Sequence, residues 1–250
     1  MYRQTVKTVA KSPVLEVRPA RGTGITLNGI RASPENVVHN LFRVDMAWQG
    51  RRAYICEHPM SCLRMCGVHD AEVVGTRTEW DFTRPEDRSA YSLGLGPDAV
   101  LGPPDGTING GMVDAILEAG IAKLDILKEE TTVAEKVEVE NPHGRITIEP
   151  APEGTGLQIY LQFGPFSPIE AVLDVYRGLE PELRRRVANA TTPYLKGFTE
   201  DAAYHTLGDL IGDIAGTGGI DNAYVKATVF GSIHALTITA CRKAKIVKTK

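Results

Sequence analysis

Gly67-Val68-His69-Asp70-Ala71-Glu72-Val73 closes a short apolar run that opens at His58, and its pattern returns as Gly219-Ile220-Asp221-Asn222-Ala223-Tyr224-Val225 behind a run that carries His205. The shared form is His, apolar helix, Gly-(Val/Ile)-x-(Asp/Asn)-Ala-x-Val, the mark of an internal repeat. It predicts an α+β chain of two related halves, residues 1–124 and 125–250, each with strands, helices and a histidine near the start of one helix. With those helices face to face, both histidines meet in one cleft.

The flanking sequence fills in the halves. Residues 4–31 alternate like strands, broken by Pro13 and by the turn from Gly22 to Gly24. Ala53-Tyr54-Ile55-Cys56 reads as a short strand leading to Glu57-His58, then a helix with Pro59 in its first turn and Gly67 as its stop. Residues 71–75 read as a strand, 80–107 as Pro/Gly/Asp-rich loop and 109–120 as a helix, followed by a charged linking piece from Lys123 to Thr131. Strands are expected over 133–139, 145–148, 157–163 and 222–230, with Asn141-Pro142-His143-Gly144 as a hairpin turn. Helices are expected over 168–190, 200–215 and 234–243.

Composition excludes several classes. At 42% hydrophobic and 24% charged the chain has the balance of a folded globular protein, and no apolar stretch approaches the 18 residues of a membrane span. The N-terminus has no apolar signal core, which points to the cytoplasm. A net charge of −3 exerts no pull on nucleic acid, and the Arg184-Arg185-Arg186 run has no aromatic or glycine-rich pattern beside it. Without a secretory context, Cys56, Cys62, Cys66 and Cys241 read as reduced and buried; Cys62 and Cys66 lack a second pair at zinc-finger spacing.

On a helix, His205, Asp209 and Asp213 fall along one face, because side chains four apart stack. A lone His-x-x-x-Asp is more commonly a solvated helical turn, but His58 in the other half gives it a partner. His58, His205 and Asp209 make three ligands for zinc and leave a position open for catalysis; two His and one Asp also accept ferrous iron. Glu57, adjacent to His58, is placed to take a proton from water. His234 is the candidate proton donor to the leaving group, and Asp213 the group that holds it charged. His39 and His69 have no acidic or His partner at ligand spacing and read as structural.

Here a resemblance becomes specific. The chain resembles the zinc-dependent UDP-3-O-acyl-N-acetylglucosamine deacetylases, the LpxC enzymes of lipid A synthesis. It does so through Cys56-Glu57-His58-Pro59-Met60-Ser61 (family V-E-H-L-M-S), Leu15-Glu16-Val17-Arg18-Pro19-Ala20 with Thr23-Gly24-Ile25, Pro104-Asp105-Gly106-Thr107 before Ala119-Gly120-Ile121, His205 to Asp213 (family H-K-x-L-D-x-x-G-D), and Gly231-Ser232-Ile233-His234-Ala235-Leu236. These occur in family order over nearly the whole chain. The resemblance implies two similar α+β domains with their helices sandwiched between the sheets and the metal between the domains. It implies Glu57 as general base, His58, His205 and Asp209 as zinc ligands, His234 as general acid and Asp213 as its orienting group. It further implies an oxyanion-assisting threonine in Ala190-Thr191-Thr192-Pro193-Tyr194, with Thr191 favoured and Thr192 next.

The departures concern substrate. Thr206 stands where the family has a lysine associated with the substrate diphosphate, and Phe230-Gly231-Ser232-Ile233 replaces a K-S-G loop. Only 40 positions separate Pro165 from His205, too few for the family's acyl-chain passage. Because burying an acyl chain contributes about 0.8 kcal/mol per CH₂, its loss removes most affinity for a long chain. The expectation is a zinc deacetylase of an N-acetylglucosamine-type sugar or UDP-sugar, with acyl-chain binding altered or absent. The alternative is a non-catalytic LpxC-like protein that binds a ligand or partner.

Overall fold

In the computed structural model, the described residues are 1–76, 82–83, 88, 92, 94, 96, 100–103, 106–109 and 111–249. Most of the loop expected over 80–107, with Pro104 and Asp105, lies outside them.

The chain is α+β. The strands in order are β1 (Tyr2–Val6), β2 (Ala10–Lys11), β3 (Leu15–Pro19), β4 (Ile25–Leu27), β5 (Ile30–Arg31), β6 (Val37–His39), β7 (Asp45–Trp48), β8 (Arg51–Ala53), β9 (Ala71–Gly75) and β10 (Ile121–Leu127). They continue with β11 (Thr131–Val133), β12 (Val137–Asn141), β13 (Gly144–Pro150), β14 (Leu157–Phe163), β15 (Ile169–Leu173), β16 (Ala223–Val229) and β17 (Ile246–Lys248). The α-helices whose whole span is described are α1 (Glu57–Met65), α2 (Met112–Ala119), α3 (Pro181–Asn189), α4 (Pro193–Lys196), α5 (Glu200–Gly216) and α6 (His234–Lys243).

Two five-stranded sheets share one topology. The orders β2-β3-β9-β4-β5 and β12-β13-β16-β14-β15 are the same order in each repeat, with one parallel pair, β4–β9 or β14–β16, in each. The repeated motif explains the match. Asp70 Oδ1 and Asn222 Oδ1 accept the amides of Gly24 and Gly156, at 2.8 Å in both cases, and the next amides, of Ala71 and Ala223, bond the carbonyls of the same two glycines. Both glycines have positive φ, +78° and +70°, which a side chain resists. The partner charges are reversed between copies: Arg3 donates to Asp70, whereas Asn222 donates to Glu130.

Alternation sets what each sheet covers. Leu157, Ile159, Leu161 and Phe163 of β14 and Ala223, Val225, Ala227 and Val229 of β16 are buried, while Tyr224 faces outward. All nine residues of α1 and most of α5 are buried, so these two helices are surrounded rather than lying on a surface. They pack on one another; α5 also meets β14, α6 covers β12 and β13, and α2 lies on β2.

Each repeat carries an insertion before its buried helix: the three-stranded sheet β6-β7-β8 before α1, and α3 with α4 before α5.

Several expectations are corrected. Residues 168–190 are not one helix: Ile169, Ala171 and Leu173 alternate inward as β15, paired with β14, before α3 begins at Pro181. The strand ends at Ala53 rather than Cys56, because Ile55 has φ +59°, a left-handed turn into α1. Lys123 belongs to β10, paired with β1, and 133–139 divides into β11 and β12. The hairpin at 141–144 and the helices over 200–216 and 234–243 are as expected. All four cysteines are free and buried.

His69 is structural, as its sequence context implies. Its Nδ1 accepts the Gln4 amide at 3.0 Å, and its Nε2–H donates to the Val175 carbonyl at 2.9 Å. Burial, with Arg64 and Lys128 nearby, pushes its pKa down to about 3. The imidazole therefore stays neutral in the fold while the unfolded chain takes up a proton below about pH 6.5. Stability is fully present above that pH and falls by about 1.4 kcal/mol per unit as pH drops toward 3. Denaturant unfolding of wild type and His69→Gln between pH 7 and 4.5 should show a shallower loss in the variant; parallel curves would exclude this proton.

Candidate metal centre

The packing of α1 on α5 brings the two halves of the site together. Gly212 makes the approach possible, since a Cβ there would lie 2.0 Å from the Glu57 carbonyl oxygen. Two turns back from Gly212 along α5, the His205 ring meets the His58 ring edge to face with centroids 5.1 Å apart.

His58, His205 and Asp209 present ligand atoms all within 4.8 Å of one another, and all three residues are buried. Asp209 Oδ1 lies 3.7 Å from His58 Nε2 and 3.5 Å from His205 Nε2, and has no hydrogen-bond partner among the described residues. A buried carboxylate oxygen without a donor is costly, and two imidazole nitrogens turned toward it at non-bonding distances describe a cage for a cation. The tautomer of His205 suits ligation, because its Nδ1–H donates to the Ala190 carbonyl at 3.0 Å and leaves Nε2 free. Burial, followed by His205 and His234, pushes the His58 pKa down, keeping it in the neutral form that binds metal.

Glu57 and His234 flank this cage. Glu57 Oε2 accepts the Val44 amide at 2.9 Å, and Oε1 stands 4.0 Å from His58 Nε2. Burial above all, with Asp209 and Asp213 adding to it against the opposing pull of His234, raises the Glu57 carboxyl to about 8. A cation in the cage would favour its ionised form.

His234 Nδ1 bonds both oxygens of Asp213, at 3.0 and 3.1 Å, and its Nε2 faces Asp209 Oδ2 at 3.7 Å. Burial works against its charge, but Asp213, Asp209 and Glu57 outweigh it and raise the imidazole to about 10. Burial also raises Asp213, to about 6, so at neutral pH the two form a buried ion pair.

Thr191 is buried and bridged to Thr107, whose backbone faces His58. Its own amide bonds Asp201 at 2.9 Å. Thr192 is half-buried and its amide bonds the Gly106 carbonyl at 2.8 Å. Val44 and Ala190, one from each insertion, act through backbone groups, so residue type could not reveal them. Ile55 carries the strained turn that delivers Glu57, a conformation rare for a β-branched residue and costing about 1–3 kcal/mol.

Neither protein-family models nor curated proteins match the chain. Among the described residues, no helix is long and apolar enough to cross a membrane.

Proposed function

We propose that the protein is a zinc-dependent deacetylase, LpxC-like, that hydrolyses the N-acetyl amide of an N-acetylglucosamine-type sugar or UDP-sugar. The observation that carries this reading is Asp209 Oδ1, without a hydrogen-bond partner among the described residues, between His58 and His205, with a carboxylate and a charged imidazole at its two sides. The finer reading of the fold, two similar domains over 1–124 and 125–250 with helices sandwiched between sheets, draws support from the shared strand order and the packing of α1 on α5.

Zinc or ferrous iron held by His58, His205 and Asp209 would supply Lewis acidity toward the amide carbonyl and the attacking water. The remaining work falls to the chain. Glu57 takes a proton from water as its oxygen bonds the acetyl carbon. His234, kept charged by Asp213, gives its Nε2 proton to the amine as the C–N bond breaks, so acetate and a free amine result. Thr191 is assigned to assist the developing oxyanion.

The substrate reading follows from what surrounds this machinery. Thr206 is uncharged and offers no cation to a diphosphate, and its hydroxyl already donates to the Ala202 carbonyl at 2.9 Å. The interval from Pro165 to His205 is taken up by β15, α3 and α4, in keeping with a lost or altered acyl passage. Exposed Leu41, Phe42 and Phe230 lie on the loops leading to Val44 and His234, which the Ser232 hydroxyl ties together through the Leu41 carbonyl.

The direct test measures bound metal and acetate release with N-acetylglucosamine, UDP-N-acetylglucosamine and its 3-O-acyl form, using zinc-loaded and iron-loaded protein. About one metal per chain is expected, with release from at least one of the first two sugars. Metal binding without turnover of any of the three would remove the sugar assignment and leave the metal centre standing.

A further inference from the structure

The C-terminal ends of α1 and α5 lie on one side of the molecule, where Arg64 reaches Asp221. Between them is a cavity of about 150 Å³ lined by Arg3, Arg31, Arg64, Lys128, His69 and Asp221. Metabolite pockets usually span roughly 300–1,000 Å³, so this space suits an ion rather than a sugar.

Its charge is unbalanced. Four cationic side chains face two carboxylates, Asp70 and Asp221. Asp70 is engaged by Arg3 and the Gly24 amide, and Asp221 by Lys128 and by the Thr131 amide and hydroxyl. The two helix ends add only about one negative charge between them, which leaves a positive excess.

Arg64 is the decisive group. Its side chain is 7% exposed, yet among the described residues its only side-chain hydrogen bond is one N–H to Asp221 at 3.5 Å. A guanidinium has five such donors, and none of the Arg64 nitrogens is among the fully buried atoms without a partner, so its uncommitted N–H groups open onto this cavity. The field is felt nearby: burial and then Arg64 and Lys128 depress His69, and burial lowers Lys128 even beside Asp221.

The geometry points to a site for one small tetrahedral oxyanion, a phosphate ion or the phosphoryl group of an ester, gripped by Arg64 with Arg3, Arg31 and Lys128 around it. A planar fork matches such an anion with two parallel hydrogen bonds. This site is separate from the metal centre, about 9 Å along α1 from His58, and does not depend on the deacetylase reading.

The test titrates the 250-residue protein with inorganic phosphate at constant ionic strength, by calorimetry and thermal unfolding, before and after EDTA. One equivalent should bind in both states and raise Tm. Arg31→Ala, a change at an exposed position, should weaken binding about tenfold, and Arg64→Met should abolish it. Binding that disappears with EDTA, or that neither substitution weakens, would overturn the site. A second arm uses glycerol 3-phosphate: equal or tighter binding assigns a phosphoryl ester, and binding of inorganic phosphate alone assigns the free ion. Binding of neither probe overturns the proposal.

Discussion

Glu57→Gln is expected to hold metal as the wild type does and to lose about 10²–10⁴ in turnover. The amide is nearly the same shape, and its oxygen can still accept the Val44 N–H that Glu57 accepts at 2.9 Å. It cannot take a proton from water. The same change should leave the fold at least as stable, because Glu57 shares a buried site with Asp209 and Asp213, and burial already raises its pKa to about 8. A carboxylate kept where charge is unfavourable is what a functional group looks like in stability terms. Metal content, kcat and Tm of the purified variant decide the matter. Unchanged turnover would remove Glu57 from the base role, and lost metal would make it a ligand instead.

The second large effect is mechanical. In Gly212→Ala, the added Cβ would sit 2.0 Å from the Glu57 carbonyl oxygen, 2.7 Å from its carbon and 3.0 Å from its Cα. These are backbone atoms, so relief requires α1 to move away from α5, and that motion separates His58 from His205 and Asp209. Overpacking of this kind costs up to about 3 kcal/mol or more. The better helix propensity of alanine returns about 1 kcal/mol, leaving a net loss of about 2 kcal/mol. Gly208→Ala is the internal control. Its Cβ would meet side-chain atoms of Ile108 at 2.8 and 2.9 Å and Val187 at 3.1 Å, which can shift. Its net change should stay within about 1 kcal/mol, with metal retained. Urea unfolding with metal analysis separates the two; equal losses, or zinc retained in Gly212→Ala, would show that this close approach does not hold the centre together.

Much of the fold was legible because repetition amplifies weak signals. A single Gly-x-x-(Asp/Asn)-Ala is short, but two copies behind histidine-bearing helices pointed to related halves, and the two sheets do share one strand order. Elements with clear periodicity, such as β14 and β16, were readable for the same reason. The misread stretches were short or locally ambiguous. Ile169 to Leu173 sits between prolines and a charged helix, and only its pairing with β14 made it a strand. Ile55 favours extended backbone by type, and the tertiary context forces it to positive φ. The strands of residues 37–53 passed unseen because β6 and β8 are only three residues each, with little alternation to read.

By itself the sequence determined the composition of the candidate metal centre: Glu57 and His58 on one helix, His205, Asp209 and Asp213 at four-residue spacing on another, and His234 opening a third. Residue type and local period suffice for that, since chemistry is carried by side chains and helical spacing by the backbone. Tertiary structure alone decided that these groups converge, because convergence depends on the contact of α1 with α5 that Gly212 permits. It also decided how they are tuned. The Val44 amide on Glu57 and the Ala190 carbonyl on His205 are backbone groups that every residue possesses. The burial that raises Glu57 and the ion pair that charges His234 are properties of packing, and no pattern along the chain encodes them.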